Sequence, residues 1–132
     1  MKMEHIISTV FCFVTILIGG WDMALRVLTI LMCLDILSGL AKAWITGVFE
    51  SRKFREGLMS KAGFFVVLIL AFQIDVMMGN PEPIVRTVTS LYYIGVEGTS
   101  LIENLGAIGV PIPATIKNKL NAFKDEVESK GI

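Results

Sequence analysis

Hydrophobic residues along the chain fall into four blocks that short polar segments separate. The blocks cover residues 6–21, 23–44, 62–79 and 84–106. The hydrocarbon core of a bilayer is about 30 Å thick and takes roughly 20 apolar residues per helix. The second and third blocks are long enough to cross it, the first is short, and the fourth is the least apolar. The pattern predicts an all-α integral membrane bundle with four transmembrane helices.

The composition is that of a membrane protein. Of the 132 residues, 54% are hydrophobic and 18% are charged, and the mean hydropathy is +0.70. Soluble domains usually devote about a quarter of their residues to charge. The formal net charge is zero, so no basic field indicates a nucleic-acid partner. We expect the lipid bilayer, and not nucleic acid, to surround the chain.

The C-terminal tail has a different period from the four blocks. Its apolar residues recur at spacings of four, three and four, as in an amphipathic helix, at Ile116, Leu120, Phe123 and Val127. Pro113 suits the first helical turn, and Gly131 suits a stop. We therefore expect a transmembrane domain over residues 1–112 and a cytoplasmic amphipathic helix over residues 113–132.

The basic residues indicate the orientation, because Lys and Arg near the ends of a span resist translocation. Five of them lie between the second and third blocks, at Lys42, Arg52, Lys53, Arg55 and Lys61. The two opposite turns, which contain Asp22 and Glu82, carry no Lys or Arg. We expect segment 42–61 to be a cytoplasmic loop and both termini to be cytoplasmic.

The first block also has the general shape of a signal peptide, since Lys2 precedes an apolar stretch. Its cleavage region is poor, because Ile18, Gly19 and Gly20 lack the small-x-small alanine pattern. Removal of the block would leave three spans and an external N-terminus. Three transmembrane helices are therefore the alternative to four.

Five ionisable residues interrupt the blocks, and each costs roughly 2.5 to 3.5 kcal/mol at mid-bilayer unless it finds a partner or water. They are Arg26, Asp35, Asp75, Arg86 and Glu97. We expect Arg26, Asp75 and Arg86 to lie at the outer interface, because each is close to an outer turn. Asp35 and Glu97 are more deeply placed and need a partner.

Polar residues of the fourth block form one continuous face. They follow one another at spacings of four, three, four, three and four, at Arg86, Ser90, Tyr93, Glu97, Ser100 and Asn104. A shorter polar face in the second block contains Asp35, Ser38 and Gly39. These nine residues are our candidates for a pore lining or an oligomer interface, and the pattern leaves the choice between water and helix packing open.

Catalytic chemistry finds no support in the sequence. The single histidine, His5, lies at the terminus, and no nucleophile has a plausible base. No glycine-rich phosphate loop or metal-ligand cluster is present. We expect no enzyme, no catalytic residues, no cofactor and no metal.

Several motifs in a fixed order resemble the phage lysis and toxin-secretion holin family of Gram-positive bacteria and their phages. The order is "GGWD", "LDILSGLAKA", "SRKFREGLMSKAG", "QIDVMMG" and "GVEGTSLIENLGAIGVPIP". One shared element contains Asp35, Ser38 and Gly39. The other contains Glu97, Ser100, Glu103, Asn104, Gly109, Pro111 and Pro113. The resemblance covers about residues 19–124, so it covers the first block least.

The resemblance implies a small protein that accumulates in the host's cytoplasmic membrane, forms homo-oligomers and opens lesions at a set time. Through the lesions, a muralytic endolysin, or in some clostridia a large toxin, reaches the cell wall. Two alternatives stay open on the residues alone. One is a small ion- or proton-coupled transporter or channel in which Glu97 or Asp35 binds the coupling ion. The other is an accessory subunit whose polar face docks a larger complex.

Overall fold

The computed structural model describes residues 2–130, which form five helices. Their bounds are Met3–Ile18 (α1), Met23–Thr46 (α2), Ser51–Met78 (α3), Ile84–Ala107 (α4) and Ala114–Ser129 (α5). Over the described residues the secondary structure is helical throughout, with short turns between the elements. The predicted all-α class is confirmed.

Two predicted boundaries were wrong. Segment 42–61 is not a loop, because α3 begins at Ser51 and only residues 47–50 connect α2 to α3. The block pattern reports where apolar residues begin, whereas a helix also continues through polar sequence that supports it, here with an Arg52–Glu56 pair at 3.0 Å. Pro113 caps α5 instead of lying in its first turn, and Gly131, the predicted stop, lies outside the described residues.

The least apolar of the long helices, α4, is the central one. It packs against α2, α3 and α5, whereas α1 lies at the edge of the bundle against α3. An apolar cluster joins these helices and consists of Ile18, Leu25, Leu28, Met32, Leu68 and Ile94. The central position explains how a helix with a polar face fits into an otherwise apolar chain.

The distribution of polar and apolar side chains is the reverse of that in a soluble bundle. Large apolar side chains are exposed on α1, α2 and α3, for example Phe13, Leu37 and Leu70. The buried polar side chains are Asp35, Ser38, Asp75, Arg86, Ser90 and Glu97. α2 and α3 each contain a stretch with a mean hydropathy of 1.9 and are long and apolar enough to cross a membrane. A membrane bundle fits these features, and four transmembrane helices remain a prediction.

The turn between α1 and α2 supplies groups that belong to one part of the candidate site. Gly19 ends α1 with φ at +82°, a conformation that favours glycine, and a Cβ at this position would collide with the Phe72 ring. The Trp21 indole donates a hydrogen bond to Thr15 Oγ1 at 2.9 Å. Asp22 caps α2 by accepting a hydrogen bond from the Leu25 amide at 3.0 Å. The turn is held in one geometry at both ends.

Candidate functional site: two buried polar clusters

The first cluster, which we call the inner cluster, joins α2, α3 and α4 around one lysine. Lys61 Nζ lies 2.7 Å from Asp35 Oδ2 and 3.2 Å from Glu97 Oε2. All three side chains are at least 87% removed from solvent, with exposed fractions of 13%, 10% and 4% for Lys61, Asp35 and Glu97. One ammonium group therefore bridges two buried carboxylates from different helices.

An amide and a hydroxyl complete the inner cluster. Asn104 Nδ2 donates hydrogen bonds to Asp35 Oδ1 at 3.0 Å and to Ser38 Oγ at 3.1 Å. A Cβ on Gly39 would lie 3.7 Å from the same nitrogen, which is ordinary van der Waals contact. The sequence-predicted residues Asp35, Ser38, Gly39, Glu97 and Asn104 are thus brought together at one place.

The inner cluster holds more negative than positive charge when all three groups are ionised. The Asp35 carboxylate accepts hydrogen bonds from Lys61 Nζ and Asn104 Nδ2, but Glu97 Oε2 accepts no hydrogen bond of good geometry. The Lys61 ammonium group is instead shared between the two Glu97 oxygens at 3.2 and 3.3 Å. Removal of one partner of such a buried ion pair is strongly destabilising, because the other charge is left unpaired in a low dielectric.

The second cluster, which we call the outer cluster, forms around Arg86 at the start of α4. Its Nη1 donates to the Ile18 carbonyl and its Nη2 to Asp22 Oδ2, both at 2.6 Å. The guanidinium also lies over the Phe72 ring, 5.6 Å from its centroid. Only 2% of Arg86 is exposed. This side chain fastens the α1–α2 turn to α4.

Asp75, near the end of α3, caps the start of α4. Its carboxylate accepts hydrogen bonds from the Val85 and Arg86 amides, each at 2.9 Å, and from Asn80 Nδ2 at 2.8 Å. These amides belong to the first turn of α4, where they have no partner within the helix. Asp75 and Arg86 are buried where the two outer turns meet, whereas Arg26 is exposed. That these three residues lie at the outer membrane interface remains a prediction.

The remaining members of the α4 polar face also meet neighbouring groups. Ser90 Oγ donates to the Arg86 carbonyl at 2.9 Å, and the Tyr93 ring stacks on Phe64 with centroids 4.0 Å apart. Ser100 is half-buried and lines a cavity beside α5. In this single chain, the face lies mainly against α2 and α3.

Sequence reasoning missed two members of these clusters. Lys61 was read as the last basic residue of a loop, and Asp22 as part of an outer turn. A signal for Lys61 was present, because it directly precedes an apolar run and two unpaired carboxylates were already known to need a cation. No comparable signal points to the Ile18 carbonyl, since backbone acceptors carry no trace in the sequence.

A cavity of about 350 Å³ lies at the end of the bundle where α2 meets α3. Its wall includes Asp35, Lys61 and Asn104 of the inner cluster, together with Lys42 and Phe54. The inner cluster can therefore be reached from the end that carries the 47–50 turn.

The family of the chain follows from its match to a family model. Residues 12–125 match the model of the bacteriophage holin family. The match covers most of the chain, includes every residue of the two buried clusters and omits the first residues of α1. The chain belongs to the bacteriophage holin family. The resemblance read from the motifs is confirmed, and the holin-family match extends further toward the N-terminus than those motifs do.

Several relatives support the same assignment. A probable holin of Bacillus phage phi105 is 36% identical over 106 residues, which is 80% of this chain and 78% of that protein. The uncharacterized protein YqxH of Bacillus subtilis is 38% identical over 104 residues, which is 79% of this chain and 74% of that protein. An uncharacterized 14.9 kDa protein of Clostridium perfringens is 33% identical over 112 residues, or 85% of each chain.

Membership of the holin family also bears on the predicted activity and location of the chain. The family consists of non-enzymatic membrane proteins, in keeping with the expectation of no enzyme. Family membership and the two apolar helices together indicate that the chain is located in the cytoplasmic membrane. No solved structure gives a significant match to the chain.

Proposed function

We propose that this chain is a working holin: it accumulates in the cytoplasmic membrane of a bacterial host, assembles into homo-oligomers and opens lesions that time host lysis. The cargo that the lesions release is an endolysin or a large secreted toxin. In this proposal the membrane domain has four transmembrane helices and both termini are cytoplasmic. The length of α4, about 36 Å, supports its inclusion, because it is enough to cross a bilayer.

The observation that carries this proposal is the enclosure of the charges of α4 within an apolar bundle. Lys61, Asp35 and Glu97 satisfy one another inside the chain, while the outer surfaces of α1 to α3 suit lipid. Such a chain can accumulate without opening the membrane. It also stores polar groups that can meet water or a second copy once the helices separate.

The nine predicted residues are the ones whose surroundings change when the helices separate. Asp35, Ser38, Gly39, Glu97 and Asn104 hold α2 and α4 together in the closed chain and become an oligomer interface or a pore lining when the contact breaks. Arg86, Ser90, Tyr93 and Ser100 extend the same face along α4. Breaking many buried polar contacts at once is cooperative, which suits a sudden onset.

Inducible expression with and without an endolysin tests the proposal. Expression alone should stop growth by abrupt loss of membrane potential, whereas culture density should fall only when the endolysin is present, because the chain has no group that cleaves peptidoglycan. Membrane potential is followed with a dye and lysis by optical density. Clearing without endolysin in a host whose autolysins are disabled would contradict the proposal, as would unchanged potential at full accumulation.

A transporter remains the second candidate, and the cavity at Asp35 and Lys61 is the observation that favours it. An ion-coupled transporter would use that cavity as its cytoplasmic entrance. Reconstituted vesicles distinguish the two candidates, since transport should be saturable and selective for a transporter, whereas a holin should release solutes of many kinds once a threshold amount of protein is present.

Replacement of Glu97 by glutamine should delay permeabilisation more than replacement of Glu82. Glu97→Gln removes the excess carboxylate of the inner cluster while Lys61 keeps Asp35 at 2.7 Å, so the closed chain is stabilised. Glu82 is exposed in the turn before α4. A change of about 0.4 kcal/mol in the barrier doubles a waiting time, so we expect at least about a doubling for Glu97→Gln. Equal onset times at matched protein levels would remove Glu97 from the triggering step.

A further inference from the structure

The cavity of about 350 Å³ lies in a cleft between α2 and α3, beyond the end of α4. Asn104 of α4 donates a hydrogen bond to Ser38 of α2 at 3.1 Å, and α4 ends three residues after Asn104. α2 continues for eight residues beyond Ser38, about 12 Å, and α3 begins ten residues, about 15 Å, before Lys61. The two helices therefore extend past α4, and the cavity occupies the space between their extensions.

Taken as spans, α2 and α3 place the mouth of this cavity at the level of the lipid headgroups. Lys42 follows Asp22 of the outer cluster by 20 residues, and Lys53 precedes Asp75 of the same cluster by 22 residues. At 1.5 Å per residue these separations are about 30 and 33 Å, and the hydrocarbon core of a bilayer is about 30 Å thick. Trp44, two residues after Lys42, is 88% exposed, as suits a tryptophan at the membrane interface. Spans that begin at the outer cluster therefore reach the opposite headgroups at Lys42 and Lys53.

The wall of the cavity carries more basic than acidic side chains. It contains three lysines, Lys42, Lys53 and Lys61, and two carboxylates, Asp35 and Glu50. Lys61 and Asp35 satisfy each other in the inner cluster. Lys53 pairs with Glu50 at 3.3 Å, but this pair is exposed and therefore weak. Within residues 2–130, Lys42 forms no ion pair, so the mouth keeps an unpaired positive charge.

Apolar side chains form much of the remaining wall. Ile36 and Leu40 line the cavity from α2, and Phe54 and Leu58 line it from α3. A volume of about 350 Å³ lies within the range of small-molecule sites. A basic mouth above apolar walls matches an amphiphile that has an anionic head and hydrocarbon chains. The same walls suit a fully hydrated ion poorly, because they offer it few polar contacts.

We propose that this cavity binds the headgroup of an anionic membrane lipid. Lys42 and Lys53 contact the phosphate, and the first carbons of the lipid chains lie along Leu40 and Leu58. Basic cavities between membrane helices recognise acidic headgroups in this way, since each Lys near the surface attracts anionic lipid. The bound lipid bridges α2 and α3 where α4 no longer joins them. The proposal needs α2 and α3 to lie in a bilayer but does not need lesions to form, so it is independent of the proposed holin activity.

Retention of lipid by the purified protein tests the proposal. The protein in a mild non-ionic detergent is mixed with equal amounts of phosphatidylglycerol and phosphatidylcholine, and native mass spectrometry counts the lipids that stay bound. We expect phosphatidylglycerol to be retained at least about fivefold more often, as one lysine contact predicts. An excess of inorganic phosphate should not displace it, because phosphate has no chains to pack against Leu40 and Leu58. Equal retention of the two lipids, or displacement by phosphate, would overturn the proposal.

Removal of the two lysines at the mouth should abolish the preference for phosphatidylglycerol. Lys42→Gln with Lys53→Gln should lower its retention by about tenfold or more, because both contacts to the phosphate are lost and Glu50 then repels it. Lys117→Gln with Lys119→Gln makes the same change of net charge at exposed positions of α5 outside the cavity and should leave retention nearly unchanged. An equal loss from both pairs would show general attraction by positive charge and not a site in the cavity.

Gly57→Leu tests the cavity itself without a change of charge. Gly57 lines the cavity, and a Cβ built on it meets no atom within 4 Å, so a leucine has room and fills the space. Leucine also favours a helix more than glycine does, so α3 should stay folded. Retention of phosphatidylglycerol should fall to that of phosphatidylcholine. The control is Gly63→Leu, at a position of α3 that is equally free at its Cβ but lies outside the cavity. If Gly57→Leu retains as much phosphatidylglycerol as the parent, the lipid binds elsewhere and the proposal is wrong.

Discussion

Replacement of Lys61 by methionine is expected to lower the free energy of unfolding of the purified protein in detergent by about 3 to 5 kcal/mol. The variant removes the ammonium group that lies within 2.7 Å of Asp35 and 3.2 Å of Glu97. Two buried carboxylates then face each other without a cation. Thermal or denaturant unfolding, followed by circular dichroism, measures the loss, and accumulation in membranes should fall in parallel.

Two further variants separate this effect from a general loss of charge or packing. Lys53→Met removes a lysine whose pair with Glu50 is exposed, so it should cost less than about 1 kcal/mol. Adding Asp35→Asn and Glu97→Gln to Lys61→Met should recover most of the loss, because neutral groups of similar shape no longer need the ammonium group. A Lys61→Met protein as stable as Lys53→Met would show that the inner cluster does not hold the bundle.

Replacement of Arg86 by methionine is expected to lower the free energy of unfolding by about 2 to 3 kcal/mol and to loosen α1. The guanidinium donates to the Ile18 carbonyl and to Asp22, each at 2.6 Å. Asp22 keeps some access to water, so its part of the loss is smaller than that of a fully buried partner. Limited proteolysis of the purified protein should cut near the α1–α2 turn sooner in this variant than in the parent.

Arg26→Met is the matched control, because Arg26 is exposed on the first turn of α2; we expect a change within about 0.5 kcal/mol. For Arg86→Lys we expect a loss of unfolding free energy between those of Arg26→Met and Arg86→Met. A lysine keeps the charge, but it lacks the planar guanidinium that donates to the carbonyl and the carboxylate together. Equal proteolysis of Arg86→Met and the parent would mean that other contacts hold α1 in place.

The hydrophobic blocks predicted the apolar parts of the helices closely, but they did not predict the polar ends of the helices. α2 begins at Met23 and α4 at Ile84, as the hydrophobic blocks predict. α3 begins eleven residues before its block, because hydropathy marks the apolar part of a helix and not the helix itself. The amphipathic period of the tail predicted α5, but a period shows which side is apolar and not which helix covers it.

By itself, the sequence determined that the chain is helical, that it belongs among membrane proteins, and that α4 carries polar residues along one face. These features follow from local spacing and composition, which need no knowledge of contacts. Only the tertiary structure decided that Lys61 joins Asp35 to Glu97, that Arg86 holds the α1–α2 turn, and that α5 folds back along α4. Each of these contacts links residues far apart in the chain, and their partners depend on how helices rotate and pack, which local pattern does not specify.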